Sequence, residues 1–319
     1  MISTKLIIGI YNFGLETNTE FELFDKVILS NNKSHLDNIF NTETLKNIVG
    51  QNELQLLYNN GTFLFSELNF DFDDKDFNEH VHLSNFLFLI ELFCQALWLV
   101  KDNSVTSQFG HLAYSIKDNP SVYSNLWVTS YTNKFGQFAT TYFDNDDLQQ
   151  AKKLLPMVFA MNHVGEKLDS LIKLSSKQTR LTRALYFLQS ARGSNDMGTK
   201  LAHYCSVLES IFSVSSFELK HRLSETVALF LSTEKDERIK IYREMQNAYD
   251  IRSAIVHGDG VPDKYLKNNF SLLKQIVTSS DHIVRKCLNK IIATNELFKL
   301  FTEKTQDDIT RFNQSLIFS

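Results

Sequence analysis

Arg252 and His257 stand five residues apart in the stretch Tyr249-Asp250-Ile251-Arg252-Ser253-Ala254-Ile255-Val256-His257-Gly258. A guanidinium can fork onto phosphate oxygens, and an imidazole that titrates near neutrality can take or give a proton. Together they suit phosphodiester chemistry without a metal. The bare spacing is unspecific, because nine Arg and nine His in 319 residues produce such a pair by chance in about a quarter of chains of this composition. Context has to supply the specificity. Five residues along a helix turn through about 140°, so the two side chains flank a groove instead of stacking in line. Ile251, Ile255 and Val256 anchor the turn, which leaves Arg252, Ser253 and His257 to border it. Gly258 stops the helix directly after His257 and leaves the imidazole at its C-terminus.

Other chemistries find little support. The chain has no GxGxxG and no GxxxxGK[ST], the usual backbone cradles for dinucleotides and nucleoside triphosphates. GxSxG and HExxH are also missing. Cys94, Cys205 and Cys287 lie far apart in apolar helical contexts, where a free Cys is a small core residue. An acidic run, Asp71, Asp73, Asp74, Asp76 and Glu79, precedes His80 and His82. It does not meet the calcium-loop pattern and reads as a solvated loop, so neither a metal nor a cofactor is expected. His203 and His221 have no partner at metal spacing. Glu209 is a lone carboxylate in the apolar segment 202–212 and, on its residue type alone, reads as a paired structural acid.

The elements that must position these groups follow from composition and period. With 3 Pro and 11 Gly in 319 residues, helices should dominate over tight-turned strands. Residues 1–145 read as a mixed α+β domain. Strand-like runs lie at 5–11, 20–29, 62–72 and 122–142, and helical spacing lies at 35–49 and 53–58. The apolar segment 81–100 is long enough for a membrane span. Asn85, Glu91 and Gln95 interrupt it and no basic cluster flanks it, so a buried helix in a soluble chain is expected. Residues 6–10 are too short and strand-like for a secretory signal, which places the chain in the reducing cytoplasm. A helical connector spans 146–174, with Pro156 expected to kink or divide it.

From 175 to 319 the chain reads as an antiparallel helical bundle, with helices at 178–191, 196–214, 217–231, 235–257 and 264–293 and a shorter one near 295–304. Residues 172–293 carry 19 Lys and Arg against 12 Asp and Glu, a net of +7, while the rest of the chain carries −11. Such asymmetry suits a polyanionic partner for the bundle, or attraction between the two parts.

The stretch YDIRSAIVHG resembles the signature of the HEPN superfamily (higher eukaryotes and prokaryotes nucleotide-binding), and is most similar to its ApeA-like branch of bacterial anti-phage proteins. The resemblance continues in order through RALYFLQSAR at 183–192, AHYCSVLESIF at 202–212 and LKHRLSETVALFL at 219–231. It covers about residues 178–260, a quarter of the chain. It implies a bundle that pairs as a homodimer, so that two Arg-x4-His helices face each other across one composite, metal-independent endoribonuclease site. By resemblance Arg252 binds the scissile phosphate and His257 is the general acid and base, leaving 2′,3′-cyclic phosphate and 5′-OH ends. Ser253 and Glu209 would then support them by orienting the Arg or the RNA. The implied partners are RNA, tRNA included, a second copy of the chain, and an antitoxin or phage trigger. Residues 1–145 would sense, select or restrain. The same superfamily holds non-catalytic modules that bind RNA or nucleotide or act as dimer scaffolds, which is the alternative reading.

Overall fold

The apolar run Leu6-Ile7-Ile8 reads as a strand buried on both faces, and it forms the centre of the N-terminal sheet. A computed structural model of the chain describes residues 2–16, 19–70, 77–116, 119–126, 129–163, 174–175, 177–215 and 217–318. Contacts divide the chain into two compact units, Met1–Tyr131 with Phe138–Leu155, and Thr132–Gln137 with Pro156–Ser319. The fold is α+β and mostly helical, as the sequence leads one to expect.

The first unit runs β1 (Ile2–Tyr11), β2 (Phe13–Gly14), β3 (Glu20–Phe24), β4 (Val27–Ser30), α1 (Ser34–Ile39), α2 (Glu43–Val49), α3 (Gln51–Asn60), β5 (Phe63–Phe70), α4 (Glu79–Val100), β6 (Thr106–Ile116), β7 (Asn119–Leu126) and β8 (Thr141–Tyr142). Six strands form one antiparallel sheet in the order β3-β4-β5-β1-β6-β7, and β2 pairs with β8 in parallel. In register, Ile7 lies opposite Phe65 on one side and His111 on the other. Ile7 and Phe65 pack with Leu36, Phe40, Leu54 and Leu57 from α1 to α3. Gly110 neighbours His111 and so faces the opposite way, where it lies directly against Leu83 and Leu87 of α4. The sheet is therefore covered by three short helices on one face and one long helix on the other.

By length and composition α4 could cross a membrane, yet 67% of its most apolar window is buried inside the unit, as in the core helix of a soluble protein. Other sequence expectations change in detail. Residues 20–29 form a hairpin that turns at Lys26, whose φ is +60°. The helical run 35–58 is cut into three, because the Thr42 side chain accepts from the Leu45 amide to start α2 and Gly50 turns the chain at φ +96°. Of the strand-like stretch 122–142, only β7 and β8 are strands among the described residues. The inner strand β6, between β1 and β7, has no counterpart among the expected strands. The acidic run 71–76 lies outside the described residues.

Helix α5 (Asn145–His163) continues through Pro156, where the first unit ends. The rest of the expected connector, 164–173, lies outside the described residues. The second unit then runs α6 (Arg180–Gly193), α7 (Met197–Phe212), α8 (Leu219–Leu231), α9 (Lys235–His257), a 3-10 turn at Asp263–Tyr265, α10 (Lys267–Ala293), α11 (Asn295–Glu303) and α12 (Gln306–Ile317). Helix α7 packs against α6, α8, α9 and α10. It starts at Asp196, whose side chain accepts from the Thr199 amide at 2.7 Å. Arg180 caps its far end by donating to the Ser213 carbonyl at 2.8 Å. Inside the bundle, the Lys200 ammonium reaches the Ala191 carbonyl at 2.7 Å and the Tyr204 hydroxyl donates to Asp281 at 3.1 Å. Residues 132–137 join this unit, where Thr132 donates its amide to the Arg192 carbonyl at 2.8 Å.

His111 couples the first unit to pH. Its ring is buried, with Nδ1 2.7 Å from the Ser124 hydroxyl and Nε2 without a partner. Burial pushes its pKa down to about 4, against a small upward pull from Glu53. The unfolded imidazole takes a proton near pH 6.5 while the folded one resists until about 4, so stability is full above 6.5 and falls as pH drops through that window. The difference amounts to about 3 kcal/mol at most. Trp98 is buried in this unit, so its fluorescence during urea unfolding reports on it. His111→Phe should flatten the loss between pH 6.5 and 4.5, and an unchanged slope would contradict this assignment.

Candidate active site

Helix α9 buries Ile241, Met245, Ala248, Tyr249 and Ile251. That spacing keeps one apolar stripe in the bundle and fixes the rotation of every other side chain on the helix. Fully burying a residue such as Ile251 stabilises the seam by about 1.5–3 kcal/mol. The same rotation carries Arg252 toward α7. There its Nη2 donates to Glu209 Oε2 at 3.1 Å. Its guanidinium carbon also lies 5.2 Å from the centre of the Tyr249 ring, a cation–π arrangement one helical turn back along α9. Of the four residues singled out from the sequence, the structure joins Arg252 and Glu209 directly.

The pairing is incomplete. Glu209 Oε1 and Arg252 Nε are both buried and have no hydrogen-bond partner. Burial pushes the Glu209 carboxyl up from its ordinary range, and the Arg252 charge and the Tyr249 hydroxyl pull only partly the other way. Burial and the Glu209 charge push the Tyr249 hydroxyl up to about 12, so it stays a proton donor. It acts on the carboxylate without reaching ordinary hydrogen-bond geometry. Cys205 is buried beside this group, and burial and Glu209 push its thiol up, so it is no nucleophile.

His257 is the last residue of α9 and is exposed. Among the described residues it forms no hydrogen bond or ion pair, and it is not joined to Arg252. Ser253 is half-buried and likewise makes no such contact. The helix stops there through a double backbone clasp, in which Gly258 N–H donates to the Ile255 carbonyl at 3.1 Å and Asp259 N–H to the Ala254 carbonyl at 2.9 Å. Gly258 sits at φ +86°, a left-handed position that glycine adopts without strain. The chain beyond it is also tied down. A side chain at Gly198, in the first turn of α7, would meet Val261 at 2.8 Å and Ile255 at 3.0 Å. Gly198 thus lets the two ends meet.

Asp250 forms a second anchor beside the site. It accepts from Lys220 at 2.5 Å and from the Tyr265 hydroxyl at 3.3 Å, with Lys264 at 3.6 Å. Burial favours the neutral acid, but the hydrogen bond and charge of Lys220, with Lys264, outweigh it and hold the carboxyl below its ordinary range. Sequence reasoning assigned no role to Tyr249, Asp250 or Gly198. The one available signal was that Tyr249 lies three residues before Arg252, on the same face of the helix.

The remaining sequence candidates are separate. His203 is half-buried near the Phe187 ring, and His221 bonds the Tyr242 hydroxyl at 2.8 Å. Among the described residues no group of three His, Cys, Asp or Glu side chains could hold a metal ion. No family model, curated protein or solved structure matches the chain.

Gly258→Ala tests how the fold places His257. Forcing a Cβ into the left-handed position should lower stability by about 1–2 kcal/mol, read by urea unfolding. It should also shift the His257 imidazole signals in an NMR spectrum. A variant with unchanged stability and unchanged signals would show that the clasp does not set the position of His257.

Proposed function

We propose that the chain is a metal-independent endoribonuclease of the HEPN type, with Arg252 and His257 as its catalytic residues. The observation that carries the reading is Arg252 held by Glu209 and Tyr249 on two rigid helices, five residues before an exposed His257 at a helix end. Residues of the second unit carry 24 Lys and Arg against 18 Asp and Glu, which suits a polyanionic substrate. The guanidinium would bind a non-bridging oxygen of the scissile phosphate. The imidazole would take the proton of the ribose 2′-OH as that oxygen attacks phosphorus, and the bond to the 5′-oxygen would break. The departing 5′-oxygen would receive a proton from an imidazolium.

Arg252 and His257 do not meet in the single chain. A second copy, bringing a second α9 end, would complete the site, and the dimer belongs to the proposal. Cys94, Cys205 and Cys287 are buried and form no disulfide, which fits a reducing compartment such as the cytoplasm. An activator or antitoxin and a role in phage defence rest on the resemblance alone. A second reading, a non-catalytic module that binds RNA or nucleotide or scaffolds a dimer, draws on one observation: Arg252 faces Glu209 and not His257.

Incubating the purified protein with mixed tRNA and total RNA in EDTA separates the two readings. The ribonuclease reading expects cleavage that survives EDTA and falls by about 10²- to 10⁴-fold in His257→Ala, with RNA affinity kept. Equal traces of cleavage from both proteins would contradict it. Affinity lost in Arg252→Ala, with no cleavage in either protein, would favour the binding module.

A further inference from the structure

We propose that Glu209 holds Arg252 in reserve: its carboxylate occupies the guanidinium where a substrate phosphate would bind, so RNA binding exchanges one anion for another. The inference rests on the ribonuclease reading and deepens it by assigning the site's regulation.

The form of the ion pair is the reason. A guanidinium–carboxylate pair removed from water is frequently fork to fork, which lets each charge keep more of the hydrogen bonds it had in water. Here a single 3.1 Å bond joins the two, while Arg252 Nε and Glu209 Oε1 stay unpartnered. The side chains keep 20% and 17% exposure, so an anion in solution can reach the pair. A phosphodiester offers two non-bridging oxygens to the guanidinium edge that now meets a single carboxylate oxygen. Departure of Arg252 would not strand the acid, because the Tyr249 hydroxyl lies beside it and keeps its proton up to about pH 12. The Tyr249 ring lies 5.2 Å from the guanidinium carbon. Glu209 is then a competitor for Arg252, and its removal should strengthen substrate binding.

The competing role predicts the opposite sign from an orienting one. Binding of a short labelled single-stranded RNA is measured by fluorescence anisotropy on a His257→Ala background, so that turnover does not interfere. Glu209→Gln, which keeps the shape and removes the charge, should lower Kd by about two- to tenfold. Glu209→Asp, which draws the carboxylate back by one methylene, should give a smaller gain and guards against a Gln variant that misfolds. The gain should vanish when Arg252→Gln is added, since a general loss of negative charge would persist without Arg252. An unchanged or higher Kd in both Glu209 variants, or a gain that survives Arg252→Gln, overturns the proposal. Absence of any RNA binding by the parent protein would instead remove the ribonuclease reading and this inference with it.

Discussion

A guanidinium at a helix seam keeps its charge when it leaves water, so the protein must supply partners that replace the solvent, and the second unit meets that requirement at Arg252. Arg252 has one carboxylate oxygen and one aromatic ring to do so. Both partners are useful only while α7 and α9 keep their register. The apolar stripe of α9 fixes its rotation. Helix α7 is fixed by its Asp196 cap, the Lys200 bond to the end of α6, the Tyr204–Asp281 bond to α10 and the Arg180 cap at its far end. A site whose geometry depends on one ion pair thus stands on several independent tethers, each satisfied within the bundle.

The exposed imidazole sits five residues further on, at the end of the same helix. His257 is exposed because the helix must end there: the next residue is Gly258 in the left-handed region, and the clasp over it leaves no further helical turn to cover the ring. Gly198 allows the following segment to lie against the start of α7. Arg252 is therefore half-buried and engaged, while His257 is exposed and unengaged. The charges divide with the units. The first carries 9 Lys and Arg against 19 Asp and Glu, the reverse of the basic second unit.

Much of this was legible in the sequence where the period was long and the stops were chemical. Residues 235–257 form one helix because a sustained apolar stripe runs to a glycine that cannot continue it, and the fold class followed from such segments. Legibility failed where tertiary contacts decide. Strand β6 is buried between two strands but carries Ser107, Gln108, Gly110 and His111, so its pattern did not read as core. Helix α12 rests on a capping box between Thr305 and Asp308, four residues that are easily passed over after the shorter helix before it. The left-handed turn at Asn268, Asn269 and Phe270 at the start of α10 has no sequence signal beyond the Asn pair. At the site, Arg252 and His257 were singled out from residue type and spacing and Glu209 through the family resemblance, whereas Gly198 acts through packing that no spacing rule reveals.

The central claim is that Arg252 and His257 drive attack of a ribose 2′-OH on its own phosphate, and the ends of the product RNA test it most directly. Mass spectrometry of fragments made in EDTA should show 2′,3′-cyclic phosphate and 5′-OH termini, because only internal attack leaves that pair. Fragments with 3′-OH and 5′-phosphate ends would mean that water, not the 2′-OH, is the nucleophile, and would contradict the account.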